Sequence, residues 1–273
     1  MWSSTSVTRP TSTRRCVPRA ARLPDGLRRA HLSASRTTGP AAVELNGIAK
    51  RFGGRWVLRG ANLTVWPGEV VAILGRNGSG KTTLLRIIAT LLRPTRGTAV
   101  VLGLDLARDG DAVRRRVALL GHTNAIYPDL TAAENLGFAL RMLGRPADRA
   151  VIESALGAVG LHGEADTRVR GFSAGMQRRL ALARVGLLDP GLLLLDEPYS
   201  SLDPEGAELV TARIARMRDA GGSAMVVTHD VVRARRIADR VVALDGGRVV
   251  PCGPNDYPFN GDATELSALG GEG

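Results

Sequence analysis

The stretch "GRNGSGKTT", residues 75–83, stands between the apolar runs "EVVAIL" and "LLRIIATLL". Gly75, Gly80, Lys81 and Thr82 meet the spacing G-x-x-x-x-G-K-[ST], with Asn77, Gly78, Ser79 and Thr83 completing the loop. Glycine lets a backbone turn tightly and approach a ligand closely, so successive N–H groups point into one concavity that suits an anion. A helix opening near Gly80 adds its positive dipole end. Lys81 then reaches β- and γ-phosphates, and the Thr82 hydroxyl meets Mg²⁺. The plainer alternative is a glycine turn between a strand and a helix. Its context favours a nucleotide phosphate site, because "VVAIL" reads as a buried strand and "KTTLLRIIATLL" as a helix.

A second cluster is "LLLLDEP", residues 192–198, which places Asp196 and Glu197 at the carboxyl end of a buried strand. Ligands of open parallel sheets lie outside those strand ends. Asp196 is suited to holding Mg²⁺, directly or through water, and Glu197 to polarising an attacking water. With the phosphate loop expected on a neighbouring strand, the pair reads as functional rather than as two acids closing a strand. Upstream, "GFSAGMQRRLALAR" opens a helix that Ser173 is placed to cap, leaving early N–H groups and the Gly175 backbone to meet an anion.

These groups need a scaffold. "AVELNGI" and "WVLRGANLTV" read as antiparallel strands, and "TAVVLG", "VALLG", "GLLLLDEP" and "AMVVTH" as further strands. Helical periods run from Thr131 to about Leu143, from about Asp148 to Val159, through "SAGMQRRLALARVGLL", and from about Pro204 to Ala220. Thr131 and Glu134 form a T-x-x-E capping box. "DRVVALDGGRVV" looks like a terminal hairpin. Strands alternating with helices imply a mainly parallel sheet covered on both faces, interrupted by a helical insert over 122–172.

At 273 residues and 44% hydrophobic content, the chain supports one domain, with or without a subdomain. No apolar run approaches the ~18 residues of a spanning helix. Cys16 and Cys252 have no metal-ligand spacing and suggest a reducing compartment. The net charge is +11, of which residues 1–40, with eight arginines and Asp25 alone among acids, hold +7. The remaining body is only mildly basic, which does not call for a nucleic acid partner. Residues 1–41, rich in Arg, Ser and Thr, are expected to be a disordered extension. Its readings are a transit peptide, a polyanion-binding arm, or an upstream extension of little function, the last being preferred. Residues 42–250 form the expected domain and 251–273 a loose Gly/Pro-rich tail.

Residues 42–250 resemble the ATP-binding domain of an ATP-binding-cassette transporter. "GRNGSGKTT" resembles its Walker A loop, "LLLLDEP" its Walker B strand, "FSAGM" its signature, "SSLD" (200–203) its dimer-contact loop and "VTHD" (227–230) its switch histidine. The resemblance implies an α/β P-loop NTPase core with an antiparallel β-subdomain and a helical subdomain. It also implies ATP hydrolysis with Mg²⁺, held by Thr82 and Asp196. Catalysis would rest on Glu197, Lys81 and His229, the last sensing the γ-phosphate. Two domains of that family pair head to tail, so Ser173, Gly175 and Asp203 would serve ATP bound by a second subunit, most simply a second copy. Phe52 falls where an aromatic ring stacks on adenine in the family; by itself it reads equally as core.

Two departures stand out. His122 occupies the position of the family's glutamine, and the signature carries Ala174 and Met176 in place of glycine and glutamine. "LLGHTNAIYPDLTAAENLGFALRMLG" is most similar to the ATP-binding subunit of the cytochrome c maturation, or haem-export, group. That implies a peripheral ATPase beneath an integral membrane permease on the cytoplasmic face of the inner membrane, or on the matrix side if the extension is a transit peptide. Drug- or polysaccharide-type exporters are the nearest alternative. Translation-type and repair-type cassettes, which carry two cassettes or a long coiled coil, fit less well. So does a non-hydrolysing regulatory cassette, because Lys81, Asp196, Glu197 and His229 are all present.

Overall fold

A computed structural model describes residues 39–121 and 123–253. The expected contributions of residues 1–38, of His122 and of residues 254–273 lie outside the described residues.

Strand β1 (Val43–Phe52) turns at Gly53–Gly54 into β2 (Arg55–Val65), with which it pairs antiparallel from Val43↔Val65 to Phe52↔Arg55. β4 (Arg96–Val101) pairs with the other edge of β1, and the short β5 (Leu104–Asp105) completes a four-stranded antiparallel sheet in the order β2-β1-β4-β5. Gly97 in β4 lies so close to β1 that a Cβ there would sit 2.5 Å from the Gly47 carbonyl group.

The second sheet contains β3 (Val70–Leu74), β6 (Val117–Leu120), β7 (Leu192–Asp196), β8 (Ser223–Val227), β9 (Arg240–Asp245) and β10 (Arg248–Pro251). Its order is β10-β9-β3-β8-β7-β6, parallel throughout except for β10, which returns from β9 as the expected hairpin. β8 separates the phosphate-loop strand β3 from the acid-bearing strand β7, so the two are not immediate neighbours as the sequence had suggested. Hydrophobic runs mark a strand as central without fixing its lateral place, and the crossover through β8 supplies that place.

Each central strand is buried on both faces, which is why they read as unbroken apolar runs. In β7, Leu192 and Leu194 face the core shared with the antiparallel sheet and helix α1 (Lys81–Ile88). Leu193 and Leu195 face the opposite core, formed with α3 (Ala132–Met142), α4 (Arg149–Gly157), α5 (Ala174–Leu188) and α6 (Pro204–Asp219). Burying each of these leucines stabilises the fold by about 1.5–3 kcal/mol.

α1 stops at Ile88, well short of the expected "ATLL" end. Thr90 takes a left-handed conformation (φ 61°) and its N–H turns back to the Ile87 carbonyl, which ends the helical ladder. The Thr131 box opens α3 as read: its hydroxyl accepts from the Glu134 N–H at 3.1 Å, while the Glu134 carboxylate accepts from the Thr131 N–H at 2.7 Å. Two short helices, α2 (Gly110–Arg116) and α7 (Val231–Ile237), add to those expected.

Candidate functional site

Leu74 ends β3 and the chain enters the 75–80 loop, whose shape depends on two left-handed glycines, Gly78 (φ 78°) and Gly80 (φ 107°). Gly80 also packs against β2: a Cβ there would lie 3.0 Å from Leu58 and 3.2 Å from the Val57 carbonyl oxygen. At Gly75 a Cβ would fall 2.6 Å from the Ser79 Oγ and 3.0 Å from the Leu244 carbonyl oxygen of β9. The loop is therefore folded back on itself, and Lys81, the first residue of α1, is almost fully buried beneath it. The Lys81 ammonium donates to the carbonyl oxygens of Gly75 (2.5 Å) and Arg76 (3.2 Å). Burial pushes this ammonium below the usual lysine range, while the carboxylates of Glu197 and Asp196 oppose the shift. Those two acids thus lie within electrostatic reach of the loop. Thr82 and Thr83 occupy the first turn of α1, and Asn77 and Gly78 are exposed at the loop tip.

Asp196 closes β7, pairs in register with Val227 of β8, and is 3% exposed. Glu197 then leaves the strand in a left-handed conformation (φ 45°), which costs a non-glycine residue about 1–2 kcal/mol. Four bonds hold it there: its N–H donates to the Val227 carbonyl (2.9 Å), and its carbonyl accepts from the Ser200 hydroxyl (2.9 Å), the Ser200 N–H (3.2 Å) and the Arg178 guanidinium (2.9 Å). The consequence is that the Glu197 carboxylate turns towards β8, where its Oε2 lies 3.0 Å from the His229 Nδ1. His229 is otherwise mostly exposed, with Glu197 as its anchor.

Ser173 caps α5 by accepting from the Met176 N–H at 3.2 Å. Gly175 lies close to the 200–203 segment, a Cβ there reaching 3.3 Å from the Ser201 carbonyl oxygen. Among the described residues, no hydrogen bond or ion pair joins Ser173 or Gly175 to the 75–83 loop or to the Asp196–Glu197 pair. The Asp203 carboxylate caps α6 through the Gly206 N–H and receives the Arg179 guanidinium at 2.9 and 3.0 Å. Arg179 first, and the Gly206 N–H second, hold that carboxyl below its usual range. Phe52 ends β1 with half its ring exposed and the Lys50 ammonium 5.1 Å from the ring centroid, so it is not a core residue.

The donor set fits Mg²⁺. The Thr82 hydroxyl and the Asp196 carboxylate are hard oxygen donors, and the buried Ser79 Oγ of the phosphate loop has no hydrogen-bond partner. Among the described residues no three acidic, histidine or cysteine side chains converge. Arg178 escaped the sequence reading. An arginine within "MQRRLALAR" gives no sign that it will be buried against two strand ends.

Residues 58–200 match the sequence family described as ABC transporter. The chain belongs to that family. It is 38% identical over 77% of its length to the daunorubicin/doxorubicin resistance ATP-binding protein DrrA of Streptomyces peucetius, of which it spans 64%. It is 40% identical over 69% of its length to the cytochrome c biogenesis ATP-binding export protein CcmA 2 of Cupriavidus metallidurans, of which it spans 90%. Among solved structures it superimposes with a TM-score of 0.70 on the ATP-binding cassette MJ0796, in a dimeric post-hydrolysis state bound to ADP and Pi. That likeness covers 76% of this chain and 96% of the other, at 30% identity. ABC cassettes of this kind are ATPases. Among the described residues no helix is long and apolar enough to cross a membrane.

Proposed function

We propose that this cassette hydrolyses ATP as one of a pair and drives a separate integral membrane permease, serving haem export for cytochrome c biogenesis. The observation that carries the ATPase reading is the Glu197–His229 contact at the ends of β7 and β8, beside the buried Lys81. Lys81 and the amides of residues 75–80 bind the β- and γ-phosphates and stabilise the charge of the transferred group. Thr82 and Asp196 hold Mg²⁺, which when bound neutralises charge on the phosphate oxygens. Glu197 accepts a hydrogen bond from the attacking water, and His229 orients Glu197 and reports the γ-phosphate. Phe52 stacks on adenine. Ser173, Gly175 and Asp203 of a second copy close the site from the opposite side, and His122 takes the coupling role of the family's glutamine.

The haem assignment is supported by the "GHTNAIYPDLTAAENLGF" stretch and by likeness to the CcmA relative over most of its length. Likeness to DrrA favours a second reading, drug export, at nearly the same identity. Under either reading the cassette works as a peripheral subunit at the cytoplasmic face of the inner membrane. Glu197→Gln in the source organism is expected to abolish covalent-haem staining of c-type cytochromes while apocytochromes are still made. Unchanged staining, with ATP turnover lost in the purified variant, would overturn the haem assignment and leave the ATPase in place. Undiminished turnover in Glu197→Gln would remove Glu197 from its role.

A further inference from the structure

The Arg178 guanidinium, buried in α5, has five N–H groups and meets five acceptors. Its Nη1 donates to the Gly121 carbonyl (2.6 Å) and the Asn124 Oδ1 (3.1 Å). Its Nη2 donates to the carbonyls of Asp196 (3.2 Å) and Glu197 (2.9 Å), and its Nε to that of Pro198 (3.4 Å). None of the five is a carboxylate. Burial lowers the pKa of this guanidinium, and the charge of Asp196 opposes that shift. A buried cation bonded only to neutral acceptors is an expensive way to fill space, since an apolar side chain of similar volume packs as well or better. What an apolar residue could not do is hold two strand ends in register. The acceptors lie just past β6 and at the last residue of β7 and the two beyond it, and they include the carbonyl of the strained Glu197.

We infer that Arg178 is a positioning residue: it fixes the left-handed backbone of Glu197, and hence the carboxylate facing His229, and ties it to the Gly121–Asn124 segment. Without it the Glu197 carbonyl keeps only the hydroxyl and the N–H of Ser200, both from its own turn, and loses its one tie to α5, so the residue is free to relax to a right-handed conformation that swings the carboxylate from β8. A displacement of the Gly121 carbonyl or the Asn124 amide is then transmitted to Glu197 through one rigid planar group. Arg178 has this role only if Glu197 acts on water as proposed above.

The test uses steady-state ATP turnover and amide hydrogen exchange on the full chain, comparing wild type with Arg178→Lys, Arg178→Met and Glu197→Gln. Leu182→Ala, a buried apolar position on the same helix, serves as a destabilised control. Lysine keeps the charge but offers one nitrogen, which cannot span acceptors on two strand ends. Losing charge-assisted hydrogen bonds worth ~1.5–3 kcal/mol from the Glu197 arrangement lowers kcat ~10- to 150-fold in both Arg178 variants. KM for ATP is expected to stay within about threefold, because Arg178 donates to no residue of the 75–83 loop. Amides of 123–126 and 197–201 exchange faster than in Leu182→Ala, while those of 75–83 do not. The inference is overturned if Arg178→Lys keeps wild-type kcat, or if its loss of kcat is matched by Leu182→Ala at equal melting temperature. Turnover abolished by Glu197→Gln but retained in Arg178→Lys removes the role of Arg178 alone. Turnover missing from wild type, or unaffected by Glu197→Gln, removes both readings.

Discussion

Gly75→Ala isolates a steric effect at the phosphate loop. Gly75 is not among the residues with positive φ, so alanine adopts its backbone conformation without strain and the added methyl group is the whole perturbation. That methyl would meet the Ser79 Oγ at 2.6 Å, the Leu244 carbonyl oxygen at 3.0 Å and the Lys81 Cδ at 3.2 Å. The Ser79 hydroxyl can rotate. The Leu244 carbonyl cannot, because β9 is pinned between β10 and β3. The Lys81 stem can move only by dragging its ammonium from the Gly75 and Arg76 carbonyls. Overpacking of this kind costs about 1–3 kcal/mol. If the cost falls on the phosphate-binding arrangement of the loop, ATP binds about 5- to 150-fold more weakly. Titration with a fluorescent ATP analogue measures the affinity, and a thermal melt of the free protein measures how much of the cost falls on folding instead. A melting temperature lowered by about 2–4 °C for each kcal/mol would account for the share that does not appear in binding. Affinity within twofold of wild type together with an unchanged melt would refute the reasoning, since the loop would then have absorbed the methyl group freely.

Gly97→Ala forces a Cβ against the Gly47 and Asn46 backbone at a positive φ, and is expected to lower the melting temperature by more than 4 °C; an unchanged melt would show that β1 and β4 can separate there. Thr131→Ala removes the hydroxyl of the capping box and should cost ~1 kcal/mol, read by denaturant titration and by faster amide exchange in the first turn of α3. Asp203→Asn keeps the cap but loses the charge facing Arg179. Because the Asp203 carboxyl is depressed, its contribution is complete above the ordinary carboxylate range and is lost as pH falls through the lowered value. The difference in melting temperature between wild type and Asp203→Asn should therefore be flat above about pH 5 and shrink below about pH 4; a difference that widens on acidification would contradict the assignment.

The parts of the fold that were legible in the sequence are those in which a local pattern has one physical cause. "LLLLD" requires burial on both faces, and β7 alternates its leucines between two cores. "LTAAEN" caps a helix because its hydroxyl and carboxylate satisfy each other's backbone partners. Lateral strand order was not legible: nothing within "VVAIL" or "LLLLD" states that β8 will come between them. The end of α1 was missed because Thr90 turns left-handed, a choice made by packing beyond the helix. At the candidate site, residue types and spacing pointed to the loop, the two acids and His229. They did not point to Arg178, whose five acceptors lie 18 to 57 positions away along the chain, so only the assembled strand ends make that guanidinium necessary.

The position of β3 has a consequence for how the chain must be made. Its five residues, all buried, pair on one side with Ala224–Val227 and on the other with Arg240–Ala243. On a ribosome, this apolar strand and the phosphate loop that follows it emerge before both lateral partners, the first of which exists only after roughly 150 further residues have been added. At synthesis rates of about 5–20 residues per second, that is a delay of roughly 10–30 s. During it the most hydrophobic edge of the molecule has nothing to pair with. A premature stop between the loop and β8 would yield a product that carries the nucleotide loop on a strand lacking both lateral partners, and that product is a natural target for chaperones and proteases. The nucleotide loop is thus translated well before the strands that flank β3, and becomes structured only after them.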